Sequence, residues 1–233
     1  DSIGLITARN GISVTGGVST FVGDLFIEDK IVHSGDTNTA IRFPAADTFT
    51  VETSGSEAFR VDSSGRLLLG TTTTTNNIRL GNKFGIVGTA AYTGMSISQY
   101  AGTTAGEKPM IDFNRSRGSA DGTMTSVVDD DGLGEIIFRG SDGSNFEDGA
   151  AIRAWVDGTP ANDATDMPGR LTFHTSADGD TSLHERLRID SAGRVGIGSE
   201  IPAGKLDISH PTHTNLLVLK RTTGNSGTFT VGL

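Results

Sequence analysis

The chain has no cysteine, which removes both a disulfide framework and any thiolate metal site. Aromatic residues make up only 6% of it, and hydrophobic residues 35%. That is little apolar surface for 233 residues that must offset backbone ordering entropy from a core of their own. Apolar runs are short, Leu67–Leu69 being typical, so no membrane-spanning helix is encoded. Lys and Arg together number 19, scattered along a chain of formal charge −9. Without a basic stripe to neutralise phosphates, nucleic acid is excluded as a partner class. No signal peptide is visible, and helical periodicity is nearly missing.

Glycine is what the chain has in excess: 32 residues, about twice the usual share. Between Gly, Asp, Asn and Ser clusters run short segments of period-two alternation, among them "DTFTVETSG", "EAFRVD", "GEIIFRG", "AAIRAWVDG", "GRLTFHTS", "ERLRID" and "GRVGIG". Each has the length of a strand and none that of a helix, so the chain reads as all-β. The length allows one large domain or two small ones. Thin, turn-rich architecture, elongated and with cores shared between several chains, fits this composition best.

One module is printed twice. "FRVDSSGRLLLG" occupies residues 59–70 and "LRIDSAGRVGIG" residues 187–198, and from Glu57 and Glu185 onward they share Glu, Arg, Asp, Ser, Gly, Arg and Gly in register. Asp62 and Asp190 suit the first position of a type I turn, where the carboxylate accepts from backbone N–H groups further on. Gly65 and Gly193 supply the positive-φ residue that closes the hairpin with a bulge. Phe59, Val61, Leu67 and Leu69 alternate around the first turn, and Leu187, Ile189, Val195 and Ile197 around the second. One face of each hairpin is therefore apolar and must lie on something else, here an inter-chain core. Arg60 and Arg188, on the opposite phase, are expected to point outward or to meet a carboxylate of a neighbouring chain.

The organisation read along the chain is an N-terminal shaft segment (1–35), a first β-repeat (36–75), and a Gly/Thr/Ala-rich connector region (76–132). A larger meander of about five strands (133–205) follows, then the start of a further repeat (206–233). The polypeptide begins at Asp1 and stops within "GTFTVGL", which reads as a segment of a longer protein.

"ERLRIDSAGRVGIGSEIPAGKLDIS" resembles the module that ends many repeats in tail fibres and other virion proteins of tailed phages, particularly cyanophages. There "RIDSxGxVGIG" is followed by a Pro and by "KLDV" or "KLHV". Residues 23–71 resemble a second recurrent block of such fibres. "LGEIIFRGSDGSNFEDGAAIRAWVDGTP" with "DMPGRLTFHTSADG" resembles a third, and together the blocks cover about two-thirds of the chain. The resemblance implies a virion tail-fibre shaft built of antiparallel hairpins and short meanders, intertwined as a homotrimer. Its partners would be itself, other virion tail proteins, and a host cell-surface glycan or protein, with no membrane insertion. The matching motifs carry no catalytic, metal-binding or cofactor residue, and the self-cleaving chaperone domain that ends some related fibres has no counterpart in these residues.

Each candidate residue for chemistry has a plainer reading beside the functional one. Asp129, Asp131 and Glu135 in "DDDGLGE" hint at a Ca²⁺ loop, but the spacing falls short of an EF-hand, and a solvated turn is the preferred reading. Asp112, Glu135, Glu147 and Asp148 offer carboxylates for a glycan hydrolase, yet with 28 acidic residues some pair always arises by chance. His210 and His213 lack further ligands, and His33, His174 and His184 fit hydrogen-bonded structural roles. Trp155, the single Trp, is either a sugar-stacking platform or, preferentially, a residue buried at a chain–chain contact. A tailspike-like depolymerase and a cell-surface adhesin stand as the alternatives to a fibre shaft.

Overall fold

The computed structural model describes residues 16, 22–73, 82–89, 93–100, 107–161, 166–212 and 217. His213, most of "TNLLVLKRT", most of "GISVTGGVSTFVG" and residues 74–77 of the Thr-rich connector lie outside the described residues. Among the described residues there are strands and turns and no helix, as the alternation requires. The chain divides into two compact units, Asp1–Met95 and Ser96–Leu233.

The first unit carries β1 (Lys30–His33), β2 (Asp36–Ala45), β3 (Thr48–Thr53), β4 (Ser56–Val61), β5 (Leu67–Leu69) and β6 (Phe84–Ile86). The second carries β7 (Gly132–Ser141), β8 (Phe146–Val156), β9 (Gly169–Ser176), β10 (Leu183–Ile189), β11 (Val195–Ile197) and β12 (Leu206–Ile208). Each set forms a 6-stranded sheet in chain order. Neighbours are antiparallel throughout, except for the last pair of each sheet, which is parallel. The expected meander is β7 to β11. Leu206–Ile208, expected to open a further unit, instead pairs with Val195–Ile197, and Phe84–Ile86 pairs likewise with Leu67–Leu69. A parallel partner needs a crossover, which leaves no tight-turn signature in the sequence.

The turn chemistry is the same in both copies. The Gly65 N–H donates to the Asp62 carbonyl (2.8 Å), and the Gly193 N–H to the Asp190 carbonyl (2.9 Å). Asp62 Oδ1 accepts from the Ser64 and Arg66 N–H groups (2.9 and 3.1 Å); Asp190 Oδ1 accepts from those of Ala192 and Arg194 (3.0 and 2.8 Å). Gly65 and Gly193 stand at φ 67° and 66°. A β-branched side chain in that region costs about 1–2 kcal/mol or more. Gly65→Val and Gly193→Val are therefore expected to lower the melting temperature, while Ser64→Ala leaves it unchanged. Three equal melting temperatures in differential scanning fluorimetry would contradict the turn assignment.

A bulge sits at the same place in both sheets. Phe59 pairs with Val51 and Glu57 with Glu52, leaving Ala58 as the extra residue. Leu187 pairs with Phe173 and Glu185 with His174, leaving Arg186. An inserted residue reverses the side-chain phase of the strand, so residues three apart come to one face. Arg60 accordingly reaches back to Glu57 (2.7 and 2.6 Å), and Arg188 to Glu185 (2.5 and 2.9 Å). Both arginines are thus paired within their own hairpin, where an outward path or a neighbouring chain's carboxylate was expected.

The registers show that the repetition runs well beyond the printed hairpin. In the first sheet Arg42, Thr50, Arg60 and Leu68 form one cross-strand row; in the second Arg153, Thr172, Arg188 and Gly196 do. Thr50 and Thr172, in the middle of these rows, are both fully buried. Leu68 is buried too, and Gly196 lies under Pro202, whose Cγ would be 2.9 Å from a Cβ added there. The middle of the arginine-bearing face is therefore closed in both sheets, while Val156, also fully buried, ends β8 in the opposite phase.

Candidate functional site

Opposite the arginine rows lie the apolar ones. In the first sheet Ile31, Ile41, Val51, Phe59, Leu69 and Ile86 stand side by side across all six strands. Ile136, Ile152, Phe173, Leu187, Ile197 and Ile208 do the same in the second. Phe49, Val61, Leu67 and Phe84 make a second row beside the first of these, with the Phe49 and Phe59 rings edge to face. Within the single chain these faces are only partly covered: Ile41 and Ile189 are each 41% exposed, and Ile197 39%. Phe59, Val61, Leu67, Leu69, Leu187 and Val195 are half-buried. The eight alternating apolar residues named from the sequence thus share one face per sheet, and the described residues do not enclose it.

The acidic run before β7 is built differently from a solvated turn. Asp131 is 6% exposed and held by two arginines: Arg115 at 2.8 Å, and Arg117 bidentately at 2.7 and 3.0 Å. Its Oδ2 also accepts the Val128 N–H (2.9 Å). The Arg117 hydrogen bond, helped by that N–H, holds the Asp131 carboxyl down at about 2. Asp129 accepts the Gly158 N–H (2.7 Å), Asp130 pairs with Arg170 (2.5 Å), and Glu135 pairs with Arg153 (3.2 Å). The carboxylates expected as a possible cation loop are thus engaged by arginines and backbone. The sequence trace of this clamp is slight: two arginines two residues apart, far from the aspartate they hold.

Near the Asp190 turn, an open groove of about 540 Å³ is lined with charge: Asp129, Asp130, Asp157, Arg170, Arg188, Arg194 and Glu200 among others. Its groups largely satisfy one another. Asp157 accepts the Ser191 N–H (2.8 Å) and faces Arg170 (3.2 Å), while Arg194 binds Asp190 (2.7 Å). Burial alone would raise the Asp190 carboxyl; the Arg194 backbone N–H and guanidinium outweigh it, and the net shift is downward. Asp62 is lowered as well, chiefly by the Arg66 side chain.

These lowered carboxyls fix an acid response. A carboxyl depressed in the folded chain takes up its proton first in the unfolded chain, so its contribution is complete above the ordinary value near pH 4. It is then lost as the pH falls toward the folded value. A descending limb of thermal stability is expected between about pH 4 and pH 2, shallower in Asp131→Asn. Melting curves in which Asp131→Asn follows the unmodified chain throughout that window would remove Asp131 from the account.

Trp155 is engaged within its own chain. Its Nε1 donates to Thr172 Oγ1 (3.0 Å), and the Arg170 guanidinium lies 5.7 Å from the ring centroid. It pairs across the strands with Gly132, so the ring has intramolecular contacts that need neither sugar nor second chain. Asp148 pairs with Arg139 (2.8 Å). His184 meets Asp180 (2.6 Å), and His174 lies 2.9 Å from Thr172 Oγ1.

No protein-family model matches the chain, and no curated protein matches it. Solved structures do. The carboxy-terminal domain of the bacteriophage T5 L-shaped tail fibre with its intra-molecular chaperone domain is similar at a TM-score of 0.58 and 15% identity, covering 100% of this chain and 69% of that one. The carboxy-terminal domain of the same fibre alone is similar at a TM-score of 0.51 and 14% identity, covering 94% of this chain and 99% of that one. The likeness, at these identities, is one of fold: an all-β chain similar in architecture to bacteriophage tail-fibre domains.

Proposed function

We propose that this chain is a structural segment of a phage tail fibre, located in the virion, that associates with two further copies of itself into an elongated, non-catalytic shaft serving host-cell attachment. The observation that carries this reading is the pair of half-exposed apolar faces, one per sheet, on a fold similar to tail-fibre domains. Burial of apolar area contributes roughly 25 cal/mol per Å², so rows six strands wide favour association strongly. A closed threefold assembly lets three such faces meet without leaving one exposed. Repetition then has a mechanical use, since each sheet is one unit of length. The partners proposed are other virion tail proteins at the ends and a host-surface glycan or protein at the tip.

The absence of catalysis is part of the proposal. Glycoside hydrolysis needs a carboxylic acid with a raised pKa beside a second carboxylate. Of the carboxylates named for that role, Glu135 is paired with Arg153 (3.2 Å) and Asp148 with Arg139 (2.8 Å). Sedimentation equilibrium of the purified chain is the test, with three times the chain mass expected at micromolar concentration. A compact, folded monomer would defeat the trimer. Release of reducing sugar from host glycans would replace the shaft reading with a depolymerase.

A further inference from the structure

His174 occupies an unusual position. It is 9% exposed on the arginine face of the second sheet, and its Nδ1 is buried with no hydrogen-bond partner among the described residues. Its Nε2 lies 2.9 Å from Thr172 Oγ1. That hydroxyl already accepts from Trp155 Nε1, and it lies 3.3 Å from the Arg153 carbonyl. With Nε2 facing the Thr172 hydroxyl, the doubly protonated ring carries a buried Nδ1–H that no described residue accepts.

The surroundings oppose that proton. Ala151 on β8 and Glu185 on β10 flank His174 in its cross-strand row, with Ile137 of β7 beyond Ala151. The neighbouring row brings Arg153 and Arg188 to the same face, and Glu135 beyond Arg153. Glu185 is the carboxylate directly opposite, and it is already bound bidentately by Arg188. Burial first, and then Arg153, lower the His174 imidazole below its ordinary value of 6.5, with Glu185 opposing and Arg188 adding to the fall.

The first sheet makes the comparison. Two residues after Thr50 stands Glu52, opposite Glu57, just as His174 follows Thr172 and faces Glu185. Glu52 accepts from Arg42 (3.3 Å), so this place in the first sheet holds a paired carboxylate and no imidazole. We propose that His174 is an acid-sensitive lock: neutral and buried, it keeps the arginine face of the second sheet closed, and on taking a second proton it opens that sheet while the first stays intact. A base whose folded value is depressed leaves the unfolded chain to bind the proton first. The contribution of His174 is thus whole above about pH 6.5 and is lost as the pH falls below it.

The test is hydrogen exchange of the full chain at pH 7.5 and pH 5.0, corrected for intrinsic rates. Peptides from β8, β9 and β10 are expected to exchange about tenfold faster at the lower pH, within a ceiling of about thirtyfold for an ordinary imidazole. Peptides from β3 and β4 are the internal reference and should not change. His174→Gln, which stays neutral, should abolish the pH step. Should that variant fail to fold, imidazole carbon–proton NMR of the unmodified chain decides instead. His174 must stay neutral until protection of the second sheet is lost. Titration of His174 near 6.5 with protection unchanged, or a pH step that persists in His174→Gln, overturns the proposal.

Discussion

Replacing Gly198 with Ala is expected to lower stability by about 3–5 kcal/mol, among the larger effects of a single methyl group. Gly198 follows β11 at φ 67°, a conformation that costs an L residue about 1–2 kcal/mol. A Cβ there would also lie 2.2 Å from the carbonyl oxygen of Ser209, a separation no real pair of atoms tolerates. Because that oxygen belongs to the backbone just after β12, relief requires the parallel pair β11–β12 to part. Gly198 also donates its N–H to the carbonyl of the bulged Arg186 (3.0 Å), so the bulge feels the same displacement. Gly70 repeats the arrangement at φ 71°, with its Cβ 2.1 Å from the Val87 carbonyl and its N–H toward Ala58. Gly204→Ala is the control, because the nearest atom to its Cβ is 3.9 Å away. Gly70→Ala and Gly198→Ala should melt far below the unmodified chain, and Gly204→Ala with it. Similar melting curves for Gly198→Ala and Gly204→Ala would mean that the close approach is not there.

Thr172→Val should lower stability and Thr50→Val should not, although the two residues occupy equivalent places. Both are fully buried and flanked by arginines in their rows, and valine matches threonine in shape. Thr172 Oγ1 serves Trp155 Nε1 at 3.0 Å and His174 Nε2 at 2.9 Å, and lies 3.3 Å from the Arg153 carbonyl. Removing it strands two partners, at about 1–3 kcal/mol for each group left unsatisfied. Thr50 Oγ1, by contrast, is buried without a hydrogen-bond partner among the described residues. Replacing it with a methyl group removes a desolvated hydroxyl, and the expected change is between zero and a gain of about 1 kcal/mol. Chemical denaturation of both variants measures the difference directly. A loss at Thr50 equal to that at Thr172 would show that the two rows are not packed as described.

The repeat was legible in the sequence because what it repeats there is local. Asp62 and Gly65, like Asp190 and Gly193, fix a turn through bonds to residues two to four positions away, and such chemistry needs no tertiary partner. Alternation of Phe59, Val61, Leu67 and Leu69 likewise reports strands and one apolar face. The all-β class followed from those two signals together. The equivalence of Arg42–Thr50–Arg60 with Arg153–Thr172–Arg188 was not legible. The chain between these residues differs in length in the two units, and only strand pairing aligns them.

Three further features needed the tertiary structure, each for its own reason. The bulge at Ala58 and Arg186 reverses strand phase without any residue type that demands it, so Glu57–Arg60 and Glu185–Arg188 could not be foreseen as partners. Asp131 gathers Arg115 and Arg117 across a stretch with no periodic pattern, which made a buried clamp look like a wet turn. The face that closes within the chain is the one bearing arginines, because paired guanidinium groups with long aliphatic stems can cover small residues such as Thr50 and Gly196. Sequence alone determined that there are strands, where they turn, and that one face of each hairpin is apolar. Which face the single chain buries was decided only by register, since register alone sets which side chains stand together.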